Sequence, residues 1–333
     1  MPHYRSILFC CFLFCVGCHA LEPTTPEPVV VVNPVTITDV QQVTINAAEL
    51  AKEQGDYDEA IKIFREVLNQ NPVATDAFVG IGDIYLIKKN WERAEPAFAR
   101  AVKLEPRNFD AQYGHGVSLQ MTKRFVDAVR AYHRALTINP EDMGANLNIA
   151  TTYLQMGRPQ SALVFAERAT ELDGKLAPAQ ITLAATYQLL GRSHDALEAY
   201  IAASEAMDEP SPELMRNIIF LLTKEKRYQE IVNTISQLVL LDPTAKLYEQ
   251  LGWAEFRLGD YAASIEAYKT AVDYDPNNWR SLNGIGVNKL NNWLLGGRVH
   301  DIDFQDARAS FRRSLAIEPD QPKVITLVLR YGL

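Results

Sequence analysis

The chain has 333 residues, 22% charged and 47% hydrophobic, which suits two ordinary domains or one long array and is too apolar for a disordered chain. Its 33 basic and 41 acidic residues leave a formal charge of −8, which argues against a general nucleic-acid binder, whose phosphate contacts need clustered Lys and Arg. All four cysteines fall within the first 18 residues, so neither a disulfide scaffold nor a cysteine metal site is open to the body of the chain.

The first element, residues 1–17, reads as an export signal. Arg5 supplies a short positive region, and Ile7 to Val16 is an unbroken apolar run. Ten residues at about 1.5 Å each span about 15 Å, half a bilayer core, so the run is too short to cross a membrane and suits a secretory signal. The sequence Cys15-Val16-Gly17-Cys18 then resembles the bacterial lipobox, departing from it at Cys15, where Leu is usual. That resemblance implies that Cys18 carries a lipid and anchors the chain to a membrane. An ordinary cleaved signal ending near His19-Ala20 is the alternative. His19 behind Cys18, rather than Asp, implies by the enteric sorting rule an outer-membrane lipoprotein whose domain faces the periplasm. Residues 18–40 form a tether: Leu21 to Pro34 is proline-rich and has no helical period. Thr36-Ile37-Thr38 reads equally as a short strand or as more tether.

The body, residues 41–320, is a repeat array. Pro72, Pro106 and Pro140 stand 34 residues apart and close similar phrases, KIFREVLNQNP, PAFARAVKLEP and RAYHRALTINP. Pro243, Pro276 and Pro319 close later copies. In the clearest copy, Thr75 to Asn108, Phe78, Ile81, Gly82, Tyr85, Ala94, Phe98, Ala101 and Pro106 recur at set offsets. This pattern resembles the tetratricopeptide repeat, in which those residues occupy positions 4, 7, 8, 11, 20, 24, 27 and 32. The resemblance implies an all-α, right-handed superhelical solenoid of about eight helix pairs. Position 8 is small in most copies, including Ala48, Gly82, Gly116 and Gly286, so that two helices can approach closely. Position 24 is mostly aromatic, as in Phe64, Phe98, Tyr132 and Phe311, and fills the space between neighbouring helices. Residues 321–333 read as a capping helix over the last repeat.

Two copies depart from the pattern. Repeat six, about residues 212–243, puts Ile219, Ile231, Ile235 and Leu238 where other copies hold smaller or aromatic residues. Its helices are expected to sit further apart, either by drift with repacking or as an adaptation to a partner. Repeat eight carries nine extra residues between its helices, within the insertion region 291–303, which includes Trp293, Leu294 and Leu295. These either lengthen the first helix and pack on the cap or form an exposed anchor for another protein.

No residue set points to catalysis, a cofactor or a metal. The histidines show no ligand spacing, and His115 sits at repeat position 7, where a half-buried imidazole is expected. Gly80-Ile81-Gly82, Gly114-His115-Gly116 and Gly284-Ile285-Gly286 look like pieces of nucleotide loops, but each falls inside a predicted helix with no preceding strand. Binding is the expected task. By the resemblance, first helices line a concave groove through positions 2, 5, 6, 9, 12 and 13. That groove is acidic early, with Asp76, Asp83 and Asp110 and with Gln112 nearby. Late in the chain it turns basic and aromatic, through Arg216, Asn217, Phe220, Lys224, Lys246, Trp253, Arg257, Arg280 and Asn283. The Lys, Asn and Arg set of the family's carboxylate clamp is missing, and Thr182 interrupts an asparagine ladder between Asn148 and Asn217.

The expectation is a non-catalytic protein-interaction scaffold anchored in the bacterial cell envelope, aiding assembly of a machine such as a pilus or secretion system. Its partners would be envelope proteins or peptides in the groove, the membrane through the lipid, and no nucleic acid. Alternatives are an adaptor for peptidoglycan enzymes or proteases, and a polysaccharide-binding repeat protein.

Overall fold

Consecutive helices pack as antiparallel pairs in the computed structural model, which describes residues 39–299 and 301–333. The signal, Cys18 and nearly all of the tether lie outside the described residues. The first half consists of α1 (Asp39–Glu53) with α2 (Tyr57–Gln70), α3 (Thr75–Ile87) with α4 (Trp91–Leu104), α5 (Phe109–Met121) with α6 (Phe125–Ile138), and α7 (Met143–Gln155) with α8 (Pro159–Leu172). The second half holds α9 (Ala177–Leu189) with α10 (Ser193–Glu205), α11 (Pro212–Glu225) with α12 (Tyr228–Leu241), α13 (Ala245–Leu258) with α14 (Tyr261–Tyr274), and α15 (Trp279–Leu295) with α16 (Asp301–Ile317). A single helix, α17 (Pro322–Tyr331), closes the stack. Among the described residues the architecture is an all-α solenoid of eight helix pairs plus a cap. Among the described residues no helix is long and apolar enough to cross a membrane.

Local chemistry sets the helix ends. Asn108, Asp142, Thr244 and Asn278 each accept the backbone N–H three residues on, satisfying a donor that the first turn leaves free. The turn inside a repeat needs one left-handed residue. Gly55, Gly157, Gly191 and Gly259 supply it in four copies, and Lys89, Lys123 and Lys226 take the same conformation in three others. The turn between repeats is tied by an amide at position 4: Gln112 donates to the Pro106 carbonyl at 2.9 Å, Asn146 to Pro140 at 3.1 Å and Gln180 to Gly174 at 3.0 Å.

The core is built from large-into-small contacts. A Cβ on Gly82 would lie 2.7 Å from the Phe98 ring, and one on Gly114, on the other side of that ring, would lie closer still. Gly252 and Gly284 enclose Tyr268 in the same way. The paired glycines of helices α3, α5 and α15 therefore make room for aromatic rings from second helices, and form no phosphate loop.

Neighbouring first helices touch one another, α1 with α3, α3 with α5, α5 with α7, α7 with α9 and α13 with α15, whereas second helices of adjacent repeats do not pack to this degree. The stack is thus tighter on the first-helix side, which becomes the concave face. The exception is repeat six: α11 packs in this way on neither α9 nor α13, and of the eight pairs α11 and α12 touch least. Ile219, Ile231, Ile235 and Leu238 are all buried there, and their bulk holds the helices apart.

The extra residues of repeat eight lengthen α15. Trp293 and Leu294 pack with Phe304 onto the cluster of Leu290, Phe311 and Val324, and the Trp293 and Phe304 ring centroids are 4.8 Å apart. Of the three residues read as a possible anchor, only Leu295 stays out, 75% exposed.

Candidate functional site

The early groove gathers carboxylates from three successive first helices around one lysine. Lys52 on α1 pairs with Glu49 and lies 3.6 Å from Asp83 on α3. Loss of surrounding water pushes the Asp83 carboxyl up to about 6, and Glu49 and Asp110 add to the rise while Lys52 opposes it. Asp76 is raised by burial first and then by Glu105, Glu49 and Asp110. Gln112 does not belong to this groove. It is 1% exposed and is spent on the Pro106 carbonyl, because position 4 faces the neighbouring turn. His115 is partly buried, its Nε2 3.5 Å from Glu95 and its Nδ1 buried without a partner; burial holds its pKa below the ordinary value. Among the described residues no group of three or more His, Cys, Asp or Glu could hold a metal.

The late groove has a different form, because α11 stands away from its neighbours. One cavity of about 340 Å³ opens between α11 and α13, lined by Arg216, Ile219, Phe220, Lys246 and Leu247. A second of about 350 Å³ lies against α13 and α15, lined by Ile231, Lys246, Glu249, Trp253, Tyr268 and Arg280. Thr223, Lys246 and Gln250 line both, so the two adjoin. The structure thus brings together Arg216, Phe220, Lys246, Trp253 and Arg280 of the residues expected from the sequence.

The others are placed less directly. Lys224 lies 4.5 Å from the Phe220 ring centroid, and Arg257 lies 5.1 Å from that of Tyr228. Trp253 meets the same Tyr228 edge-on, with centroids 5.4 Å apart. Asn217 is half-buried on α11 and lines neither cavity. Asn283 donates to Gln321 at 2.6 Å and so holds the base of the cap rather than the groove.

Partners within the chain temper the cations. Arg216 pairs with Asp242, and Lys246 lies 2.6 Å from Glu249, whose other oxygen accepts from Asn278 at 3.2 Å. Arg280 has no carboxylate partner among the described residues and covers the Trp279 ring at 4.2 Å. Sequence reasoning missed Ile231 and Tyr268, which belong to second helices. Tyr268 was legible only as core filling at position 24, yet it also forms part of the cavity floor.

Comparison with known proteins agrees with this geometry. Profiles described as tetratricopeptide repeat match residues 45–108, 89–142, 119–185 and 245–278, together just over half of the chain. Among solved structures the chain is similar to Pseudomonas aeruginosa PilF, with 18% identity and a TM-score of 0.54 over 63% of this chain and 95% of that one. It is similar to PilW, described as a widely conserved type IV pilus biogenesis factor, with 19% identity and a TM-score of 0.53 over 61% and 94%. A tetratricopeptide repeat protein from Parabacteroides merdae shares 16% identity at a TM-score of 0.50 over 72% and 94%. At such identities the likeness speaks for the fold alone, and together with the profile matches it identifies the chain as a member of the tetratricopeptide repeat family.

Proposed function

We propose that the chain is a non-catalytic interaction scaffold of the bacterial cell envelope, which holds a segment of a partner protein in its late groove and helps to assemble a machine such as a pilus or secretion system. The observation that carries this reading is the pair of adjoining cavities, with apolar floors and a basic rim, where the repeat stack opens at α11. A groove with Trp253 and Phe220 as apolar anchors suits protein recognition, in which a few buried aromatic and cationic side chains carry most of the energy. The envelope part rests on the signal-like residues 1–17 and the lipobox resemblance ending at Cys18. The pilus part leans on similarity in fold to PilF and PilW.

The groove is tested by photocrosslinking from position 253 in intact cells. One dominant membrane or envelope protein should be captured, and reversing the charge of Arg216, Lys246 and Arg257 together should cut that capture at least ~10-fold. Captured soluble hydrolases would instead favour an adaptor, and no specific capture would remove the groove as the working surface. The anchor is tested separately. A fatty-acid label should enter the wild-type chain and be lost in Cys18→Ser, and a variant that still takes it up would refute lipidation at Cys18.

A further inference from the structure

The wall between the two late cavities carries information about the occupant. On one side the floor is Ile219, Phe220 and Leu247; on the other it is Ile231, Trp253 and Tyr268. Between them stand Thr223, Lys246 and Gln250. The Gln250 amide is half-buried and makes no hydrogen bond among the described residues. A helical occupant would have its backbone donors and acceptors already satisfied, whereas an extended one brings N–H and C=O groups that need partners. At the shared wall the Gln250 amide can both donate and accept, and the Thr223 hydroxyl, which donates to the Ile219 carbonyl at 2.8 Å, can still accept an N–H.

Charge narrows the choice further. Arg216, Lys246 and Arg280 line the two cavities, and Glu249 is the one carboxylate among the lining residues. Glu249 is already held by Lys246 and Asn278, and Arg216 faces Asp242, which leaves Arg280 as the lining cation with no carboxylate partner among the described residues. Lys224 and Arg257 stand just outside against aromatic faces rather than acids. In an extended chain, residues i and i+2 lie on one side about 7 Å apart, and the residues between and beside them face the other way. Cavities that share three lining residues are near enough to take such a pair, while the intervening side chains face the rim, where Lys246 is 64% exposed.

We propose that the late groove recognises an extended acidic segment of a partner protein, seating two apolar side chains at i and i+2 in the adjoining cavities, with neighbouring carboxylates meeting Lys246, Arg216 and Arg280. This inference rests on the scaffold reading above and gives its partner a chemistry. Two apolar anchors define the register, and the basic rim rejects segments of the wrong charge.

The test uses the purified full chain and labelled octapeptides with the core Leu-Glu-Leu-Glu, read by fluorescence anisotropy. Exchanging both Glu for Lys, or both Leu for Gly, should each weaken binding at least ~10-fold. A Lys246→Glu/Arg280→Glu chain should reverse the order and prefer the Lys peptide, with its thermal midpoint checked to confirm folding. Affinity for the Leu-Glu-Leu-Glu peptide should fall as salt rises. No binding, indifference to the Glu-to-Lys exchange, or helix formation by the bound peptide would each overturn the proposal. Crosslinking from position 253 separates the two readings: a captured partner with no peptide preference defeats the acidic motif and leaves the scaffold, whereas no captured partner defeats the scaffold itself.

Discussion

Asp83 shows how a groove changes the chemistry of one residue. Its side chain is 39% exposed, yet the walls of α1, α3 and α5 and the charges of Glu49 and Asp110 push its carboxyl up to about 6. In the unfolded chain the same group ionises near the ordinary 3.8. Between those values the folded state binds more protons than the unfolded one, so this group lowers stability as pH rises through that window and leaves the full penalty in place above it. Asp83→Asn removes the penalty. The variant should therefore melt higher than wild type at pH 7.5, by less than about 1 kcal/mol because solvent screens a side chain this exposed. The gap should shrink as pH falls to 4.5, where wild-type Asp83 is mostly protonated. Thermal melts of both chains across that range check the sign. A variant that melted lower than wild type at pH 7.5 would mean that the Lys52 pairing, and not loss of water, dominates at this position.

At the scale of elements, what was legible was what repeats. Small residues opposite aromatic rings stand at constant spacing, so Gly82 against Phe98 and Gly252 against Tyr268 announced both the helices and their close approach. The left-handed turn residue was less legible, because it is glycine in four copies but Lys89, Lys123 or Lys226 in three others, where residue type gives no sign of it. The oversized residues of repeat six signalled a looser pair, and α11 does stand apart from its neighbours. What the sequence could not show was how side chains from different repeats pair. Arg216 meets Asp242 across 26 positions, and Asn283 meets Gln321 across 38. Helix-face arithmetic tells which way a residue points, not which residue of the next repeat reaches back to it. Gln112 is the plainest case: its position suggested a groove neighbour, and its amide is used on the turn before it.

The whole molecule is a chain of neighbours rather than one core. Among the described residues its buried apolar groups fall into separate clusters, one from Ile45 to Ile84, one from Leu119 to Ile149, one from Ala150 to Ala254 and one from Leu290 to Leu333. In such a stack each repeat contributes its own stability plus an interface with the next, so damage spreads over neighbours and then fades. Ile235 is fully buried in the third cluster, together with Ile219, Ile231 and Leu247 of the cavity floors. Ile235→Ala should cost about 2–5 kcal/mol through lost burial and the cavity left behind. Hydrogen exchange should then accelerate from α9 to α14 while α1 to α4 keep wild-type protection, because no buried cluster joins the two regions. Acceleration everywhere would show that the array unfolds as one cooperative unit. The same experiment bears on the groove, since Ile219, Ile231 and Leu247 belong both to this cluster and to the cavity floors. A segment bound there should restore protection in α11 to α13 first, because a ligand that binds only the folded groove stabilises the repeats that form it.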